Sequence, residues 1–131
     1  MIDEPCKATP SVILLIDDDP VLGPVTIELL QTLGHRASWL ESYERARDVL
    51  GGAHDATIVL LDLQLGPLRG ESLILELRAA GIRVPPLVIF SAQPMRELHE
   101  AATQIQAAGI LQKPCNAAAI DSAIRAAALA A

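Results

Sequence analysis

Asp17, Asp18 and Asp19 stand in a row at the end of the apolar run Val12–Ile16, and Asp62 ends a second apolar run, Ala56–Leu61. Ser91 closes a third run, in LVIFSA, and Lys113 follows a fourth, in ILQKP. Two like unit charges 4 Å apart repel by about 1 kcal/mol in water and about 4 kcal/mol at an effective dielectric of 20. Carboxylates that converge in one crevice therefore need a cation. Oxygen ligands at a solvent-open rim suit Mg²⁺, which takes one or two carboxylates and keeps several waters. Such an ion has positions left for phosphoryl oxygens, and an aspartate beside it can attack phosphorus to give an acyl phosphate. Lys113 would neutralise charge on the transferred group, and Ser91 could donate a hydrogen bond to it. His35, His54 and His99 are scattered and offer no zinc spacing.

These residues can meet only if the elements between them bring strand ends together. Val12–Ile16 has strand length. A helix is expected over roughly Pro20–Leu33, with Val21, Val25, Leu29 and Leu33 at steps of four and Gly34 ending it. Arg36–Leu40 reads as a weaker strand, and Ser42 as the cap of a short helix to Leu50. Ala56–Leu61 is a buried strand and Glu71–Ala80 a helix closed by Gly81. Leu87–Phe90 is a further buried strand. Met95–Ala108 is expected to be helical with Met95, Leu98, Ala102 and Ile105 on one face. Ile110–Gln112 is a short strand, and Asn116 caps an alanine-rich helix to the end.

Five buried strands alternating with five helices predict an α/β fold, a doubly wound parallel sheet in the order 2-1-3-4-5 with helices on both faces. In such sheets the site lies at the carboxyl ends of the strands where strand order reverses. That crevice falls between the first and third strands, beside Asp17–Asp19 and Asp62.

The totals restrict the alternatives. The chain has 131 residues, long enough for one core, with residues 1–10 expected as a loose lead-in and 11–131 as the domain. Hydrophobic residues make up 51% and aromatic residues 2%, so Leu, Ile, Val and Ala must build the core. A net charge of −6 and the lack of any Lys/Arg run argue against nucleic acid as a partner. No apolar run reaches the roughly 18 residues of a membrane span. Cys6 and Cys115 read as two free thiols in a reducing, cytoplasmic setting.

Together, ILLIDDDP, IVLLDLQLGPLRG, LVIFSA and LQKP resemble the receiver domain of bacterial two-component response regulators, over about Val12–Ala130. The resemblance implies a flavodoxin-like three-layer fold and a signalling switch rather than an enzyme. It implies that Asp62 accepts a phosphoryl group from a sensor histidine kinase or a histidine phosphotransfer protein. Asp18 would touch Mg²⁺ directly, Asp17 mostly through water, and Gln64 through its backbone carbonyl. Ser91 would be the switch hydroxyl and Lys113 the paired lysine, with a cis bond to Pro114. Asp19 would start the first helix, and Gly70 matches the glycine that opens the third. Ile110 stands where many receivers carry an aromatic residue, Cys115 replaces a common Phe, and Gly66-Pro67 shifts the usual proline by one.

Two other functions compete. A phosphohydrolase of the haloacid-dehalogenase type would use Asp17 as nucleophile within Asp17-x-Asp19. Pro20 and the lack of an acidic pair beyond Lys113 weigh against it. A binding module is the other, either a receiver that signals by contact alone or a flavodoxin-like carrier. The carrier would need a phosphate loop and ring-stacking aromatics beyond Trp39, Tyr43 and Phe90. The alanine-rich last helix and its neighbour predict a docking face, on the fourth and fifth helices, for a homodimer or effector.

Overall fold

Along each central strand, successive side chains point into two different cores, as strand geometry requires. Leu14, Ile16, Val59, Leu61, Leu87 and Ile89 enter one core, while Ile13, Leu15, Ile58, Leu60, Val88 and Phe90 enter the other. A strand buried on both faces must be apolar throughout, which explains the unbroken runs.

A computed structural model describes residues 10–130. The elements are β1 (Val12–Ile16), α1 (Leu22–Thr32), β2 (Arg36–Leu40), α2 (Tyr43–Gly51), β3 (Ile58–Leu61), β4 (Gln64–Leu65), β5 (Leu68–Arg69), α3 (Gly70–Ala79), β6 (Leu87–Ser91), α4 (Met95–Ile105), β7 (Gly109–Gln112) and α5 (Ala117–Ala130). The main sheet runs β2-β1-β3-β6-β7 and its pairs are all parallel, so the expected order holds for the five core strands. Tyr43, Leu73 and Leu98 place α2, α3 and α4 over one face, and Leu30 with Ile124 places α1 and α5 over the other. Ile110 packs against the first core and Cys115 against the second. Apart from Pro10, the lead-in over 1–10 lies outside the described residues, as does Cys6.

Local chemistry sets the helix ends. Ser42 Oγ accepts from the Arg45 amide at 3.1 Å and Asn116 Oδ1 from the Ala119 amide at 2.9 Å, so both expected caps are made. Gly34 (φ 97°) and Gly81 (φ 79°) follow α1 and α3 in the left-handed region that favours glycine.

Three details differ from the sequence reading. Val21 and Val25 are 70% and 57% exposed, and the buried positions of α1 are Gly23, Thr26 and Leu30. Steps of four residues overshoot a helical turn by about 40° each, so a stripe at 21, 25, 29 and 33 rotates off any one face. In α4, Leu98, Ala101 and Ile105 are buried while Met95 is exposed. The helix ends before Ala108 because Gln106 adopts φ 55°. Finally, the antiparallel hairpin β4–β5 turns through Gly66 at φ 62° between β3 and α3. Its two-residue strands are too short to show a period.

Candidate functional site

Parallel pairing aligns the strand ends. Ile16 pairs with Leu61, so the chain leaves β1 and β3 side by side, and the Asp62 amide donates to the Ile16 carbonyl at 2.8 Å. Leu61 pairs with Ile89, and Ser91 with Gln112, which carries Ser91 and Lys113 to the same rim. Asp18, Asp62, Gln64, Ser91 and Lys113 line one cavity of about 370 Å³ with Gln93 and Gly66.

Asp62 is 8% exposed. Its Oδ1 accepts from Ser91 Oγ and from the Gln64 amide, each at 3.0 Å, and its Oδ2 accepts from Lys113 Nζ at 3.1 Å. Lys113 Nζ also reaches Asp17 Oδ2 at 2.5 Å and lies 4.9 Å from the centre of the Phe90 ring. Asp17 is fully buried, and its Oδ1 accepts from the Asp19 amide at 3.0 Å. Burial pushes the Asp17 carboxyl above the ordinary carboxylate range, against the lowering pull of the Lys113 hydrogen bond. Burial alone would lower the Lys113 ammonium. The hydrogen bond to Asp17 and the charge of Asp62 outweigh burial and hold it above its usual value, so it stays charged. Burial likewise raises the Cys115 thiol, which stays protonated.

Carboxylate oxygens of Asp17, Asp18 and Asp62 all lie within 4.8 Å of one another. Three hard oxygen donors at that spacing, one on an exposed residue, fit a Mg²⁺ ion that retains water. Asp18 is steered by the hairpin, because Gly66 N donates to its Oδ2 at 2.6 Å. Gln64 sits on β4 at the same rim.

Asp19 takes no part in the cluster. Its Oδ1 accepts from the Val21 and Leu22 amides at 2.8 and 3.0 Å, which caps α1 and lowers its pKa. In an Asp17-x-Asp19 hydrolase the second carboxylate would have to serve the reacting group, and here it serves the helix. The Lys113–Pro114 bond is cis. Gly70 opens α3 against the Asp62 carbonyl oxygen, so closely that a Cβ there would collide with it.

Three contributors escaped the sequence reading. Trp39 Nε1 donates to the Asp17 carbonyl at 2.6 Å, and its ring lies against Gly23. Gln93 Nε2 donates to Gln64 Oε1 at 3.3 Å across the mouth, and Gln112 Nε2 holds the Gln93 carbonyl at 3.0 Å. Each contact joins distant segments and leaves no local pattern. The Trp39 contact alone could have been found, by laying β2 against β1 in register.

The family model for the response regulator receiver domain matches residues 13–125. The sensory/regulatory protein RpfC of Xanthomonas campestris is 31% identical over 108 residues. That alignment covers 80% of this chain and spans 15% of RpfC. The CheY-like receiver domain from Methylobacillus flagellatus superposes with a TM-score of 0.78 at 22% identity, covering 91% of this chain and 99% of that one. One from Methanospirillum hungatei gives 0.75 at 18% identity, covering 89% and 92%. Those two likenesses speak for the fold, and the family model for the membership. The chain belongs to the response regulator receiver domain family.

Proposed function

We propose that this receiver is a signalling switch operated by phosphorylation of Asp62. The observation that carries the reading is the setting of that carboxylate. A hydroxyl and an ammonium are bonded to it, and two further carboxylates stand within reach for a metal. Asp17, Asp18 and Asp62, with the Gln64 carbonyl, would hold Mg²⁺, which when bound neutralises charge on the phosphoryl oxygens. An Asp62 oxygen forms the new bond to phosphorus as the donor's bond to phosphorus breaks, and the donor leaves with that electron pair. With a phosphohistidine donor, the leaving group is the imidazole. Lys113 then pairs with a phosphoryl oxygen, and Ser91 exchanges its Asp62 acceptor for another. That exchange shifts the balance between two conformations of the rim. Water attack on phosphorus returns free Asp62 and inorganic phosphate.

A sensor histidine kinase or histidine phosphotransfer protein would supply the group. The exposed Met95 on α4 and Leu129 on α5 support a homodimer or effector face there. Among the described residues no helix is long and apolar enough to cross a membrane.

Incubation with Mg²⁺ and acetyl phosphate, read by intact mass, tests the proposal. Wild type is expected to gain one phosphoryl group and Asp62→Asn none. Equal labelling of the two, or none on wild type, overturns the assignment.

A further inference from the structure

Asp17 lies just past the last paired residue of β1. Its amide still finds β2, donating to the Leu40 carbonyl at 3.2 Å. Its carbonyl takes the indole N–H of Trp39 at 2.6 Å. That carbonyl belongs to the peptide unit joining Asp17 to Asp18, and peptide units are planar. Whatever orients it also sets the direction in which Asp18 leaves Asp17. The indole reaches the carbonyl only because residue 23 has no side chain: a Cβ on Gly23 would lie 2.7 Å from Trp39 Nε1. With Lys113 and the Asp19 amide on its carboxylate, every polar atom of Asp17 is tied down.

We propose that Trp39 is a positioning residue for the acidic pair, holding Asp17 and Asp18 at metal-binding separation through the Asp17 carbonyl, and that Gly23 leaves the room it needs. This rests on reading Asp17, Asp18 and Asp62 as the Mg²⁺ site. A cation bound by few protein ligands gains affinity when those ligands are held in place beforehand. β2 is an edge strand that supplies no residue to the pocket. Through Trp39 it supplies a constraint instead, with α1 as the wall behind the ring.

The test is titration calorimetry with MgCl₂ on wild type, Trp39→Phe, Gly23→Ala and the double variant, with apo melting temperatures measured in parallel. Trp39→Phe keeps an aromatic ring and loses the N–H. Gly23→Ala keeps the indole and displaces it. Each is expected to weaken Mg²⁺ binding about three- to tenfold, the range of one net hydrogen bond. The double variant should bind no more weakly than the weaker single variant, because both substitutions break the same hydrogen bond. A merely structural Trp39 would shift the melting temperature and leave the Mg²⁺ constant alone. Single-variant constants within twofold of wild type would overturn the proposal and spare the metal site. No Mg²⁺ binding by wild type would overturn both.

Discussion

The Ser91 hydroxyl donates to Asp62 Oδ1 at 3.0 Å, sharing that oxygen with the Gln64 amide. Ser91 is 1% exposed and is the last residue of β6, and its carbonyl accepts the Lys113 amide at 2.9 Å. Strand end, hydroxyl and lysine are therefore tied to one another. In the proposed switch, a phosphoryl group on Asp62 would offer Ser91 a stronger acceptor farther out and draw the hydroxyl toward it. Ser91→Ala removes that bond and leaves the Asp62 carboxylate in place. It is expected to slow labelling by acetyl phosphate about tenfold, one hydrogen bond's worth of rate. Time courses by intact mass measure it, and an unchanged rate argues that the hydroxyl is a structural partner only.

Lys113 answers two carboxylates at once, with its own side chain 10% exposed and that of Asp17 fully buried. Removing one member of such a cluster leaves charges unpaired in a poor solvent, at a cost of about 3 kcal/mol. Lys113→Met should therefore lower stability by that amount in metal-free buffer, read by urea unfolding. The lost ammonium also no longer competes with a cation. Mg²⁺ should bind the variant more tightly than wild type and restore part of the stability, while phosphoryl transfer to Asp62 falls. Weaker Mg²⁺ binding by the variant would mean that Lys113 organises the carboxylates rather than opposing the ion.

Gly70 and Gly51 make a matched pair. A methyl at residue 70 runs into the Asp62 carbonyl oxygen and comes within 3.1 Å of Leu61 Cδ1, and a carbonyl cannot swing aside as a flexible side chain can. At Gly51 the nearest atom would be Ile82 Cδ1 at 3.7 Å, an ordinary contact. Gly70→Ala is expected to cost about 1–3 kcal/mol and to slow labelling of Asp62, since α3 must retreat or residue 62 must shift. Gly51→Ala, near the end of α2, should be neutral or stabilising by up to about 1 kcal/mol. Thermal melts with labelling rates separate the two outcomes.

The sheet was legible because its central strands, β1, β3 and β6, are buried on both faces. Val12–Ile16 and Leu87–Phe90 have no polar residue to interrupt them, and an unbroken run leaves little choice of structure. Strand order then placed Asp17, Asp62, Ser91 and Lys113 on one rim without any knowledge of their side chains. The helices were less legible. Val21 and Val25 are apolar and exposed, so α1 has two candidate stripes. The buried one is set by other elements, which pack Ile13, Leu15 and Ile124 with Leu30, and Trp39 against Gly23. The end of α4 hid for a similar reason, since Gln106 takes a left-handed conformation that its residue type does not announce. Contacts set by neighbouring elements, rather than by the local chain, account for these misses.

His35 yields a pH prediction at the opposite end of the sheet from the carboxylates. Its Nδ1 accepts from the Ser11 amide at 3.0 Å, and its Nε2 is buried with no hydrogen-bond partner. Burial lowers its pKa below 6.5, with Asp121 pulling the other way and Arg125 adding to the depression. The folded state thus prefers the neutral ring, while the unfolded chain takes up a proton near pH 6.5. This contribution to stability is therefore complete above pH 6.5 and is lost as pH falls through the lower, folded-state value. A protonated ring would also turn an N–H toward the Ser11 amide, donor against donor. Gln offers Ser11 an acceptor and does not titrate. Between pH 7.5 and 5, urea midpoints of wild type should fall relative to those of His35→Gln. Taking the difference between the two proteins cancels the carboxylates, which titrate in both. Midpoints that run parallel across the window would show that His35 keeps its ordinary protonation in the fold.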